Sequence, residues 1–231
     1  MQEYTSSYSE SGIRKAILKS YMWMALGLII TAGVSYVMYS TGLLLRILYA
    51  MPFLSFVIMF AQIALCFMMS SAMHSATSQK IKTYFIIYAI TMGITMTSIG
   101  YTFDIGAIAI AFGISAFYFA CLVFIGTTTK KNLTGLGTIC MAALFALVIS
   151  QIFMMLFRFP MNLRLYSIIG LLIFTGITAW DVQRMNQILV YNDGNVMEQE
   201  KIAIYFALEL YLDFINIFLY ILRLIGAGSD D

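Results

Sequence analysis

The amino-acid sequence predicts an all-α membrane protein, a bundle of spanning helices with little outside the bilayer. Of 231 residues, 61% are apolar and only 10% charged, and the mean hydropathy is +0.90. Soluble domains run near ~45–50% apolar and ~25% charged, which argues against a water-soluble enzyme. The charges also cluster, leaving long uncharged runs between them. A bilayer helix needs ~20 apolar residues plus a connection, so at roughly 30–35 residues per unit six or seven spans fit. No room remains for a second domain of ordinary size. A net charge of +2 gives no basic field for nucleic acid, and three cysteines make no disulfide scaffold.

Residues 1–20 read as a short, mobile polar tail, with Arg14, Lys15 and Lys19 just before the first apolar run. A signal peptide starts similarly, but its apolar core is only ~7–15 residues. Here no charge occurs from Ser20 to Leu45, so an uncleaved first span fits better and residues 21–231 form the transmembrane domain. The second span falls near 52–70, with a polar exit through Ser70, Ser71 and His74. The third is Thr83 to Phe103, the fourth Ile105 to Thr129 and the fifth Asn132 to Phe157. Leu165 to Trp180 reads as a short sixth that ends at Asp181. The last candidate, near 202–225, is apolar in bulk but carries Glu209, Asp213 and Arg223.

Basic residues set the orientation, because cytoplasmic connections carry the excess of Lys and Arg. An inside N-terminus places nine inside: Arg14, Lys15, Lys19, Lys80, Lys82, Lys130, Lys131, Arg184 and Lys201. It leaves four outside: Arg46, Arg158, Arg164 and Arg223. Seven full spans put the C-terminus outside; a seventh that dips and returns puts it inside. In the third span, Thr91, Gly93, Thr95, Thr97, Ser98 and Gly100 suit close helix packing, with a polar pathway as the other reading.

Ionisable groups within the spans cost at least ~2.5–3.5 kcal/mol each at mid-membrane, so they face the bundle or a cavity. Tyr205, Glu209, Asp213, Asn216, Tyr220 and Arg223 recur every three or four residues and share one stripe of a helix. Phe206, Leu210, Phe214, Ile217 and Ile221 make the opposite stripe. The polar stripe is expected to turn inward, with Glu209, Asn216 and Tyr220 lining a pathway. Glu209 also reads as an acid solvated from the headgroup region. Asp213 lies too deep for that, about 18 Å along the helix from Lys201.

Asp181 and Asp213 both fall on the cytosolic half of helices joined by a short loop. Two close carboxylates cannot both ionise cheaply, so such a pair holds one shared proton and acts as a proton switch. The same oxygens are hard ligands suited to Ca²⁺. The plainer reading pairs Asp181 with Arg184, one turn on. His74, the single histidine, reads as a solvated loop residue that is also able to report pH. Cys66, Cys121 and Cys140 fall within spans and read as packing. A Ser–His nucleophile pair and a mid-helix lysine are both missing from the expected places.

The stretch Ala179-Trp180-Asp181-Val182-Gln183-Arg184 resembles the sixth-helix signature of the Bax inhibitor-1 (transmembrane Bax-inhibitor-motif) family. Leu210-Tyr211-Leu212-Asp213-Phe214-Ile215-Asn216-Ile217-Phe218 resembles its seventh. Met92–Ile99 and Thr127–Gly135 are similar to further family segments, the latter of its bacterial branch. The resemblance implies a seven-helix bundle with the last helix central. It implies a pH-sensitive calcium leak gated by an aspartate pair, at Asp181 and Asp213 here. It also implies roles in stress survival and, in some bacterial members, association with a membrane protease. Family members often carry an arginine at the cytosolic end of the second helix that latches the pair. Here that region reads Met69-Ser70-Ser71-Ala72-Met73-His74. Either Arg184 or His74 replaces the latch, or it is absent.

The expectation is therefore a non-enzymatic, multi-pass protein of a bacterial inner membrane, N-terminus cytoplasmic, with no resident cofactor. It passes Ca²⁺ under proton control, with Asp181 and Asp213 as transient metal ligands. Its partners are the lipid bilayer, Ca²⁺, protons and possible association with a membrane protease, not nucleic acid. The alternative is a non-conducting membrane regulator of stress survival or of a membrane protease.

Overall fold

The computed structural model describes residues 2–51, 53–159, 162–192 and 194–226, with side chains throughout except at 2–11 and 73–75. The described residues form eight helices and no strand. They are α1 (Gln2–Ser40), α2 (Leu43–Ala50), α3 (Leu54–Ser75), α4 (Ser78–Thr102), α5 (Ile105–Thr128), α6 (Thr134–Phe157), α7 (Leu163–Tyr191) and α8 (Val196–Gly226). Seven of them, all but α2, are long and apolar enough to cross a membrane. Lipid offers no partner to an open backbone N–H or C=O, so each apolar run closes its hydrogen bonds internally as helix. Polar connections punctuate the runs. Asn162 and Asn195 cap α7 and α8, their Oδ1 atoms accepting the backbone N–H of Leu165 and of Glu198, each at 3.1 Å.

One sequence expectation changes here, and one open alternative closes. The polar segment before residue 20 is helical from Gln2 and continuous with the first span. Its inner turns pack on protein: Ala16 and Ser20 are buried, and Lys19 is ion-paired. The last helix does not dip and return. α8 runs unbroken for 31 residues, about 46 Å at ~1.5 Å per residue, more than the ~30 Å hydrocarbon core. It is also the most enclosed helix. In its membrane-length window 72% of residues are buried, against 56% in α7 and at most 33% elsewhere.

The chain divides into two compact units. The first is Met1–Asp104 with Gln187–Tyr211. In it α1 and α4 pack through small residues. A Cβ on Gly93 would lie 2.7 Å from Val34 Cβ and 2.8 Å from Thr31 O. Gly93 and Gly100 thus serve close approach, the latter against Tyr39, whereas Thr95 and Ser98 are exposed. Thr31 Oγ1 donates to Ala89 O at 3.0 Å and accepts from Tyr211 Oη at 2.6 Å. Tyr211 stacks edge-on against Phe85 and Tyr88. At the other end of this unit Glu200 Oε1 binds Lys19 Nζ at 2.6 Å and Lys82 Nζ at 2.8 Å. Ser78 Oγ donates to its Oε2 at 3.3 Å, so one carboxylate ties α1, α4 and α8.

The second unit is Ile105–Asn186 with Leu212–Asp231. Phe214 of α8 meets Phe112 and Phe119 of α5 edge-on, at 5.4 and 5.7 Å between centroids. Tyr118 and Thr175 share a 2.7 Å hydrogen bond between α5 and α7. Many large apolar side chains of α5 and α6 point outward, among them Phe117, Phe124, Ile139 and Phe145. Such a surface suits lipid rather than water.

Candidate functional site

The site is built on one turn of α7, residues 179–183, in the second unit. The sequence predicts a span ending at Asp181, but α7 continues for ten more residues to Tyr191. The charge lies inside the helix and is met by protein. Asp181, 5% exposed, has its Oδ1 at 3.4 Å from Nη2 of Arg184, one turn on. The Arg184 guanidinium also lies over the Trp180 ring, 4.6 Å from its centroid, an added cation–π attraction. Arg184 is thus placed at Asp181, as the plainer reading of the sequence requires.

Close packing holds this turn still. Gly126 of α5 lies against it so tightly that a Cβ there would sit 2.7 Å from Ala179 O and 2.8 Å from Val182 Cβ. Gly137 of α6 lies directly on the Trp180 indole. Gln183 then joins the turn to the α5–α6 connection. Its Nε2 donates to Lys131 O at 2.9 Å and Thr129 O at 3.2 Å, and its Oε1 accepts the Leu133 N–H at 2.8 Å. All three partners are backbone groups, so the clamp reads the loop's path rather than its side chains. Sequence reasoning quoted Gln183 within a motif but gave it no role.

Asp213 is 3% exposed and sits on α8 in the same unit. α7 and α8 pack where Tyr220 lies on Gly170, with Tyr166 and Phe174 one turn to either side. Eleven residues separate Gly170 from Asp181, and seven separate Tyr220 from Asp213. For helices running back along one another, the difference of four residues sets Asp213 about 6 Å, or one turn, deeper than Asp181. Both carboxylates therefore lie buried on packed helices at neighbouring depths.

The other expected site residues fall differently. Tyr220 is buried against Gly170 rather than open to a pathway. Asn216 is half-buried and turns its Nδ2 to Leu212 O of its own helix, at 2.8 Å. Glu209 is half-buried, in the first unit. The polar stripe of α8 is not the more enclosed one. Tyr205, Glu209, Asn216 and Arg223 keep partial exposure, while Phe206, Leu210, Phe214, Ile217 and Ile221 are all buried. An enclosed helix needs no lipid-facing stripe, so its apolar side chains take the tightest packing and its polar ones the looser places. His74 lies in the last turn of α3 rather than in a loop, and its side chain is outside the described residues. Among the described residues, no three or more His, Cys, Asp or Glu gather as a metal site.

A sequence model of the family described as "Inhibitor of apoptosis-promoting Bax1" matches residues 13–230. The chain is 32% identical over 219 residues to a Borreliella burgdorferi protein, covering 94% of each. It is 34% identical over 221 residues to one from Deinococcus radiodurans, covering 94% of this chain and 92% of that one. It is 29% identical over 220 residues to inner membrane protein YbhL of Escherichia coli K12, covering 94% and 93%. The match runs through every spanning helix and through both buried aspartates, and the chain belongs to the Bax inhibitor-1 family.

Proposed function

We propose that this chain is a calcium leak of a bacterial inner membrane, its N-terminus cytoplasmic, and that Asp181 and Asp213 form its proton switch. The observation that carries the reading is a pair of buried carboxylates, 5% and 3% exposed, on packed membrane-length helices. A buried acid in a span costs at least ~2.5–3.5 kcal/mol, and this unit buries two. Packing alone gives no reason to keep two. Carboxylate oxygens suit a hard divalent ion in transit.

Arg184 supplies the latch. Paired with ionised Asp181, it holds a positive charge at the pair and opposes a cation. Protonating Asp181 breaks the ion pair and releases the Arg184 guanidinium to swing away from the carboxylates, so the leak rises as pH falls through the range in which the pair titrates. The family's second-helix arginine is replaced here by a cation on the same helix as the carboxylate. YbhL, an inner membrane protein, supports the placement in such a membrane. The test is calcium entry into liposomes that contain only the purified chain, across pH. Entry that rises on acidification supports the reading. No entry at any pH contradicts it and leaves the regulator that binds another membrane protein.

A further inference from the structure

The segment between the first two spanning helices, residues 41–53, is apolar yet does not cross. α2 takes eight of its residues, about 12 Å of helix against a hydrocarbon core of ~30 Å. Gly42, left-handed at φ 63°, sets α2 off from α1, a conformation glycine adopts without a Cβ clash. The N–H groups of Thr41 and Gly42 return to Val37 O and Tyr39 O, each at 3.1 Å, and close the end of α1. α2 packs on both α1 and α3. Leu44 is buried and Ile47 and Leu48 are half-buried, one face by their spacing.

The remaining face is exposed and wrong for water. It carries Leu43, Leu45, Arg46, Tyr49 and Ala50, of which only Arg46 is charged. Tyr49 is 94% exposed, and Phe53, just before α3, is 77% exposed. A water-facing helix puts polar residues outward. This surface instead continues the lipid-suited faces of its neighbours, through Tyr36 and Val37 on α1 and Phe56 and Phe60 on α3. Arg46 is the one charge on this exposed face. A lipid phosphate is its complement.

We propose that α2 is an interfacial helix that docks on the headgroup region of the leaflet at the α1–α3 end. Leu43, Leu45, Tyr49 and Phe53 enter the acyl boundary, roughly 5–10 Å below the headgroups, and Arg46 reaches up to phosphate. The turn at Thr41–Gly42 keeps its irregular backbone out of the hydrocarbon, where open amides find no partner. This docking is independent of any calcium flux.

The test uses Tyr49→Trp in the full chain, in vesicles of phosphatidylethanolamine and phosphatidylglycerol. The emission added over wild type, which already contains Trp23 and Trp180, reports the new indole. The expected result is loss of that emission to phospholipid brominated near the glycerol end of its chains. Lipid brominated near the chain terminus, and aqueous iodide, should quench it less. Phe53→Trp repeats the measurement from the other end of the segment. Strongest quenching by iodide puts α2 in water and overturns the proposal. Strongest quenching by the deep bromines puts it in the hydrocarbon, and shielding from all three means a protein covers it; either result also overturns it.

Discussion

Replacing Gln183 with Glu changes the side chain by one donor group and nothing in size. Its Oε1 can still accept the Leu133 N–H, but the bonds donated to Thr129 O and Lys131 O are lost. A carboxylate oxygen then faces two carbonyls. Each net hydrogen bond is worth ~0.5–1.5 kcal/mol, so the pair amounts to roughly 1–3 kcal/mol before repulsion is added. The loop is exposed at Lys130, Lys131 and Asn132, so water replaces part of what Gln183→Ala removes, and that variant falls at the lower end. The Leu133 amide reports the clamp directly in Gln183→Ala, which removes its acceptor, and through the freed loop in Gln183→Glu, which keeps it. With ~1.4 kcal/mol per tenfold, opening made about 2 kcal/mol easier speeds exchange roughly 30-fold. Hydrogen exchange at mildly alkaline pH measures it. On acidification the new Glu protonates, regains one donor, and the excess exchange should shrink. Exchange at Leu133 within about threefold of wild type, in both variants, refutes the clamp, since that is under ~0.7 kcal/mol.

Gly93→Leu should destabilise the α1–α4 contact by about 1–3 kcal/mol, as overpacking does, and lower the unfolding temperature in detergent. Gly33→Ala, with nothing within 4 Å of a Cβ, is the control and should not; equal stability of the two contradicts the packing account. Arg184→Gln should raise calcium entry at neutral pH by freeing Asp181, and an unchanged leak in folded protein argues against Arg184 as the latch. His74→Gln in the same assay tests the remaining candidate. A cysteine in place of Lys131 should be shielded from an impermeant thiol reagent added outside intact cells; labelling there reverses the orientation.

The spans were legible because lipid leaves few alternatives to an uncharged run of twenty residues. The same logic does not show that α7 continues beyond Asp181 to Tyr191. Charges at Asp181 and Arg184 look like an exit from the membrane, yet they answer one another within one turn. Nothing local in the sequence distinguishes the two cases. The packing of α1 around Lys19 involves Glu200, 181 residues away. The clamp of Gln183 on residues 129–133 is equally non-local. The burial of Asp213 was legible from its depth in an apolar run. The burial of the apolar stripe beside it was not, because periodicity marks a polar face without saying how fully the other is enclosed. α2 falls at the end of the first uncharged run and before the span near 52–70, in a stretch to which the sequence assigns no separate element, and Gly42 marks its start.

The central claim is that Asp181 and Asp213 are one switch. Its most direct measurement is the pH profile of calcium entry in liposomes for Asp181→Asn, Asp213→Asn and the double variant. Groups that titrate as a unit lose the unit when either is removed. Each single variant should therefore lose most of the pH dependence, whatever its absolute rate, and the double should add little to either. Wild-type pH profiles in both single variants, or effects that simply add in the double, would contradict the claim and return Asp181 to the role of an ion-pair partner for Arg184.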